Sequence, residues 1–147
     1  MAVYKFKLQK LLDYKIKIED EKKNKLGAAI KRLEKEKRRM AELKRKFSEM
    51  QDLFQEKTSQ GLAVNELKIL ANYIDYYKRG IKEQRVRIRM AEDYLSICRE
   101  ELIKATREKK MIEKLKEMDY SKYLYEEQKK EEKLVDDLVS FKESNKS

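Results

Sequence analysis

Residues 67–112 read LKILANYIDYYKRGIKEQRVRIRMAEDYLSICREELIKATREKKMI, and apolar side chains recur along them in alternating steps of three and four. Only Gln84 and Lys109 interrupt the stripe, where they either set the register or are tolerated at a wet seam. Such steps average about 3.5 residues and place the stripe on one face of a slightly underwound helix. The segment therefore predicts one helix of a coiled coil, with seam positions Leu67, Leu70, Ile74, Tyr77, Ile81, Gln84, Ile88, Ala91, Leu95, Cys98, Leu102, Ala105, Lys109 and Ile112.

The first third of the chain shows the same repeat less regularly. Lys15, Lys22 and Lys37 occupy some stripe positions, where their alkyl stems can cover apolar surface. The step from Met40 to Leu43 predicts a local shift of phase. We therefore expect a second coiled-coil helix whose stripe comprises Leu8, Leu11, Ile18, Leu26, Ile30, Leu33, Met40, Leu43, Phe47, Met50 and Phe54.

Between the two stripes, residues 57–65 read KTSQGLAVN, a cluster of turn-forming residues. Gly61 can adopt a left-handed angle past a helix end, and Asn65 can cap the next helix, followed by Glu66 at its positive end. A short connection favours antiparallel neighbours. The sequence thus predicts an all-α, long two-helix antiparallel coiled-coil hairpin in a single domain, 1–147. Its expected parts are helix one about 3–57, a turn about 58–65, helix two about 66–142 and a disordered tail 143–147.

The second predicted helix is longer than the first, so part of it lacks a partner within the hairpin. Apolar residues nevertheless continue along this part, at Leu115, Met118, Tyr123, Leu124, Leu134, Leu138 and Phe141. An unpaired amphipathic helix binds a partner, frays or packs against a copy of itself. A protein partner and weak self-association are both expectations from this length difference.

The composition argues against catalysis. The chain has no histidine, one cysteine and no glycine-rich phosphate loop, so common general bases, thiolate clusters and nucleotide-binding devices are missing. We expect no enzymatic activity, no cofactor and no metal. Neither a signal peptide at Met1–Asp20 nor a transmembrane segment is expected. A net charge of +10 indicates either a solvated helical surface or attraction to an acidic protein, nucleic acid or membrane.

Tyrosines form further candidates for partner contact. Tyr73, Tyr76 and Tyr77 follow the predicted turn too closely for one helix face to bury all three. Exposed tyrosines offer a large contact area at low entropic cost, although they can equally flank the seam. Two other aromatic clusters lie toward the chain termini, at Tyr4 with Phe6 and at Tyr120, Tyr123 and Tyr125.

Three short motifs carry a resemblance to a known family. They are Phe6-x-Leu8-x-x-Leu11-Leu12, Gln60-Gly61-Leu62-Ala63-x-Asn65 and Tyr73-Ile74-x-x-Tyr77. With the long charged helices, they resemble the flagellar export protein FliJ family over nearly the whole chain. The resemblance implies a stalk-like, cytoplasmic coiled coil of the flagellar type III export apparatus, peripherally associated with the membrane at the flagellar base. Its implied partners are the hexameric export ATPase, whose assembly it promotes, the cytoplasmic domain of the membrane export gate, and export chaperones.

The resemblance also implies two binding surfaces. The export-gate surface would comprise Leu43, Tyr73, Tyr77, Gly80 and Gln84. The ATPase-ring surface would lie in the segments 4–17 and about 114–138, at Tyr4, Phe6, Lys10, Lys17, Lys114, Lys116, Tyr123 and Leu134.

Two alternatives remain from the residues themselves. A generic coiled-coil scaffold would share the stripe and the charge. A basic nucleic-acid-binding coiled coil would need a face that tracks phosphates. Residues 31–46 are basic, but Glu34, Glu36 and Glu42 interleave with the cations, so no nucleic-acid partner is expected.

Overall fold

The computed structural model describes residues 3–61 and 63–146. They form two helices, α1 (Gln9–Ser59, 51 residues) and α2 (Val64–Asn145, 82 residues), and the described ranges contain no strand. The predicted all-α antiparallel hairpin with a longer second helix is confirmed. The chain divides into two compact units, a terminal unit (Met1–Glu21 with Ile103–Ser147) and a turn unit (Lys22–Leu102). The single domain 1–147 stays a prediction.

The start of α1 differs from the expectation of a helix from about residue 3. The helix begins at Gln9, whose backbone N–H donates to the Phe6 carbonyl at 3.1 Å. Along 3–7, Tyr4 and Phe6 are half-buried while the three residues around them are exposed. Alternation with period two is that of an extended chain, which lets both aromatic rings face the protein.

The turn between the helices uses Gly61 as expected, with a left-handed φ of 74°. Asn65, expected as the cap of α2, lies inside the helix instead. The Ala63 carbonyl accepts the N–H groups of Glu66 and Leu67 at 3.1 and 3.2 Å, so the helix begins two residues earlier than expected. Leu62 lies outside the described residues.

The end of α2 also differs from the expectation. The helix continues to Asn145, into the predicted disordered tail 143–147, of which Ser147 lies outside the described residues. No proline or glycine follows Gly80 in the sequence, so nothing in the last turns breaks a helix.

The core of the turn unit is a narrow seam. Ala29, Leu95 and Cys98 are buried together, with Leu26 and Leu33 packed against them. In α2 every expected seam position from Leu67 to Leu102 is buried or half-buried, which confirms the stripe there. The sequence numbers of residues in contact run in opposite directions along the two helices, because Glu101 pairs with Lys22 while Gln84 pairs with Glu36.

In the turn unit, two of the positions expected in the α1 stripe were wrong. Ile30 and Lys37 are exposed, and Ala29 and Glu36 take their places in the seam. Since the buried Gln84 amide donates to Glu36, a charged residue is accommodated at this position. No phase shift is needed, because seam positions follow steps of three and four at Lys22, Leu26, Ala29, Leu33, Glu36, Met40, Leu43, Phe47, Met50, Phe54 and Lys57.

A second polar contact lies in the terminal unit. Glu19 is only 4% exposed and accepts a hydrogen bond from Lys109 Nζ at 3.0 Å. Leu12 is buried, whereas Leu8 and Leu11 are exposed, so the expected stripe was wrong at its first two positions. Its next positions, Lys15 and Ile18, are half-buried. An apolar stripe leaves out a seam position filled by glutamate, which explains why Glu19 was missed.

Candidate functional site

The turn unit carries a groove of about 240 Å³ between α1 and α2. Its floor forms where Gly80 faces Leu43: a Cβ built on Gly80 would lie 3.6 Å from Leu43 Cδ2. The missing side chain therefore leaves open space above Leu43. The lining residues, here called the turn-unit groove, are Arg39, Leu43, Tyr76, Arg79, Gly80, Glu83, Gln84 and Arg87.

Of the residues expected at the export gate, the groove brings together Leu43, Gly80 and Gln84. Gln84 is 2% exposed and its amide donates to the Glu36 carbonyl at 2.9 Å and to the Glu36 carboxylate. Its amide N–H groups thus find acceptors within the seam, and the residue forms part of the groove wall.

The tyrosines separate into exposed and seam-packed residues. Tyr73 and Tyr76 are 51% and 63% exposed, whereas Tyr77 is half-buried at its seam position. The Tyr76 and Tyr77 rings contact each other edge to face, 5.3 Å between centroids. Tyr73 lies in a neighbouring shallow depression of about 420 Å³ with Ile69, Asn72, Tyr76 and Arg79. Tyr76 lines both surfaces.

Tyr76 was a candidate contact residue in the sequence but not among the expected export-gate residues, and the three arginines of the groove were missed. Arg79 and Arg87 follow Tyr76 by three and eleven residues, spacings that return to one side of a helix. That periodicity was available in the sequence. The contribution of Arg39 was not, because it depends on the register between the helices.

In the terminal unit, Tyr4 anchors the extended segment against α2. Its hydroxyl donates to Asp119 Oδ2 at 2.9 Å, and its ring lies 5.0 Å from Tyr120 and 5.2 Å from Tyr123. Burial, together with the hydrogen bond and negative charge of Asp119, raises the pKa of the Tyr4 hydroxyl. Tyr4 of the first aromatic cluster noted in the sequence therefore joins Tyr120 and Tyr123 of the second in one group of rings.

Beside this cluster is an open cleft of about 670 Å³, here called the terminal cleft. It brings together Tyr4, Phe6 and Tyr123 of the expected ATPase-ring residues. Its lining comprises Val3, Tyr4, Lys5, Phe6, Lys7, Leu8, Leu115, Asp119, Lys122, Tyr123 and Glu126.

The other expected ring-binding residues lie outside the terminal cleft. Lys116 donates to Gln9 Oε1 at 2.6 Å and is half-buried. Lys10, Lys17 and Lys114 are exposed. Leu134 is 61% exposed and belongs to the last part of α2, here called the arm, in which every residue from 128 to 146 is exposed.

Ion pairs flank the seam in each unit. In the turn unit Glu101 accepts from Lys22 and Lys25 at 3.1 and 3.5 Å, and the hydrogen bond from Lys22 is the main cause of its lowered pKa. The charge of Glu101 in turn raises the pKa of Lys25. In the terminal unit the hydrogen bond from Lys15 lowers the pKa of Glu108.

The Lys109 ammonium of the terminal unit is stabilised in the same way. Its hydrogen bond to Glu19 raises its pKa, and Glu113 contributes a second negative charge 3.7 Å away. The Lys109 ammonium therefore stays charged near neutral pH, and its contact with the Glu19 carboxylate at this seam position is an ion pair.

Neither a metal site nor a membrane-spanning stretch is found among the described residues. Within residues 3–61 and 63–146, no cluster of acidic or cysteine side chains is arranged to hold a metal ion. Over the same ranges, neither helix contains a stretch apolar and long enough to cross a membrane. The fold and surfaces define a two-helix coiled-coil protein with an aromatic cleft, an arginine-lined groove and an exposed helical arm.

The chain belongs to the family described as flagellar FliJ protein, whose sequence pattern matches residues 4–147. A solved structure of a proposed YscO homolog from Chlamydia trachomatis has a similar fold, with a TM-score of 0.79 and 19% sequence identity. The match covers 95% of this chain and 94% of that one. No match was found among curated proteins.

Proposed function

We propose that this protein is a non-enzymatic component of the flagellar type III export apparatus, acting in the cytoplasm at the membrane-associated base of the flagellum. It binds the hexameric export ATPase, promotes ring assembly, and links the ring to the export gate and to substrate chaperones. Membership of the FliJ family over residues 4–147 carries this proposal.

The terminal unit is the proposed ATPase-binding part. The arm exposes Leu134, Leu138 and Phe141 by 61%, 55% and 63%. Their spacings of four and three place them on one helix face. Apolar side chains in such a row are typical of a helix that packs against another protein.

The ATPase activity of the cognate export ATPase, titrated with the full chain, tests this part. We expect saturable stimulation that is lost when Leu134, Leu138 and Phe141 are replaced together by serine. A matched control replaces Glu132, Asp136 and Glu143 by serine on the opposite face and should keep the stimulation. Since all six side chains are exposed, circular dichroism should show similar helicity in both variants. Absence of stimulation by the unaltered chain would refute the stalk function.

The turn unit is the proposed export-gate contact, through Tyr73 and the turn-unit groove. Tyr73 is half exposed, so Tyr73→Ala should weaken binding to the cytoplasmic domain of the gate without loss of stability. Tyr77→Ala should instead lower stability, because Tyr77 is packed in the seam. Unchanged gate affinity in Tyr73→Ala would argue against this surface.

Binding measurements with the purified ATPase and gate domain also distinguish the alternative functions. A scaffold would bind neither the ATPase nor the gate and would self-associate with rising concentration. A nucleic-acid-binding coiled coil would bind duplex DNA with steep salt dependence. Chaperone binding is measured with purified export chaperones against the same variants.

A further inference from the structure

Three arginines line the turn-unit groove. Arg39 belongs to α1 and Arg79 and Arg87 to α2, and Leu43 and Gly80 form the apolar floor. Across the described part of the chain, no carboxylate lies within ion-pair distance of these three arginines.

This lack of pairing contrasts with the cations that flank the seam elsewhere. Lys15, Lys22 and Lys109 each hold a carboxylate within 3.1 Å. Glu83 also lines the groove, so the wall carries three positive charges against one negative charge. A guanidinium fork can hold a carboxylate through two parallel hydrogen bonds, and such bonds are stronger than those between neutral groups. The groove thus offers unused donors for an anion.

We propose that the turn-unit groove binds an acidic peptide segment of a partner protein. Carboxylates of the segment pair with Arg39, Arg79 and Arg87, and one apolar side chain of the segment lies over Gly80 against Leu43. The inference rests on the proposed function for its partner: the segment would belong to the export gate.

The groove favours a peptide over a nucleic acid for two reasons. Its volume of about 240 Å³ and its apolar floor suit one or two side chains rather than a phosphate backbone. Glu83 stands among the arginines and would repel successive phosphates, whereas a peptide can place its own carboxylates away from it.

Fluorescence anisotropy of the full chain with a labelled peptide tests the proposal. The probe has a central leucine with two glutamates on each side, and its control carries glutamine in place of all four glutamates. We expect the glutamate peptide to bind more tightly and to weaken between about 50 and 300 mM salt, as screening shortens the range of charge interactions.

Two triple variants distinguish binding by the groove arginines from the effect of net positive charge. Replacing Arg39, Arg79 and Arg87 with glutamine should weaken binding of the glutamate peptide by about tenfold or more, since charge-assisted hydrogen bonds are lost. The matched control replaces Arg38, Arg85 and Arg89, exposed arginines that do not line the groove, and changes the net charge equally. This control should retain most of the affinity.

Three results would overturn the proposal: equal binding of both peptides, equal losses in both triple variants, or full displacement of the peptide by duplex DNA at an equal concentration of negative charge.

Binding of the purified gate domain to the same variants distinguishes the acidic-segment inference from the gate assignment. Gate binding that survives the groove substitutions contradicts the acidic-segment inference and leaves the gate assignment standing. If the unaltered chain selects the glutamate peptide but does not bind the gate domain, the groove is supported and the gate assignment fails.

Discussion

Alanine at Gly80 should make the turn unit more stable while narrowing its groove. Gly80 lies within α2, and a Cβ added there would meet Leu43 Cδ2 and Cδ1 at 3.6 and 3.9 Å, ordinary van der Waals distances. Nothing has to move to admit the methyl group. Gly27, in α1 of the same unit, provides a control, because no atom lies within 4 Å of its added Cβ.

The size of the effect follows from these two environments. Glycine costs about 1 kcal/mol relative to alanine inside a helix, so Gly27→Ala should raise the unfolding free energy by about that amount. Gly80→Ala should raise the unfolding free energy by somewhat more than Gly27→Ala, because its methyl group is also partly buried against Leu43. Full burial of such a group contributes about 0.8 kcal/mol.

Urea unfolding followed by circular dichroism measures both changes, as midpoint shifts of about 0.5–1 M for a typical small-domain slope. Only Gly80→Ala should also weaken gate binding, since its methyl fills part of the groove. A Gly80→Ala chain less stable than the unaltered one, beside a stabilised Gly27→Ala chain, would refute the geometry assigned to the groove floor.

Three further predictions test the turn and the seam. Gly61→Ala should destabilise the chain by about 1–2 kcal/mol in urea unfolding, because the left-handed φ of 74° strains any side chain; a stabilised variant would contradict this turn. Gln84→Leu should change stability by about 1 kcal/mol or less, since Glu36 can turn its carboxylate to water, whereas Gln84→Ala should cost more by leaving a cavity. Acid should weaken the turn unit: the folded pKa of Glu101 lies below its ordinary value of 4.5, so its stabilisation is present above that value and is lost as pH falls through the lowered pKa. Urea unfolding from neutral to acid pH should therefore show a shallower decline for Glu101→Gln, and identical pH profiles would contradict this contribution.

The fold was predictable because apolar residues recur at regular steps along α2 almost without interruption. A three-and-four repeat from Leu67 to Ile112 permits one buried face, and every position in it is buried or half-buried. The α1 stripe was less predictable, because Glu19 and Glu36 occupy seam positions. A charged residue becomes a seam residue only when its partner on the other helix is known, and a single helix does not contain that information.

The candidate sites were likewise predictable only in part. The aromatic residues at Tyr4, Phe6 and Tyr123 could be picked out from residue type, and the structure places them along one cleft. The groove could not be predicted in full, because Arg39 reaches it from the other helix and its floor depends on Gly80 facing Leu43. Residue type alone thus picked out residues of the cleft, whereas the groove also required the pairing of the two helices.

The buried contact between Gln84 and Glu36 also explains why Arg39 of the groove is unpaired. Glu36 precedes Arg39 by three residues, a spacing at which a helical glutamate and arginine can pair. The Gln84 amide instead holds the Glu36 carboxylate at the seam. Gln84→Leu should therefore release Glu36 to pair with Arg39, so that the variant loses affinity for an acidic peptide while its stability stays nearly unchanged. A seam residue that contributes little net stability thus keeps a binding residue of the groove available.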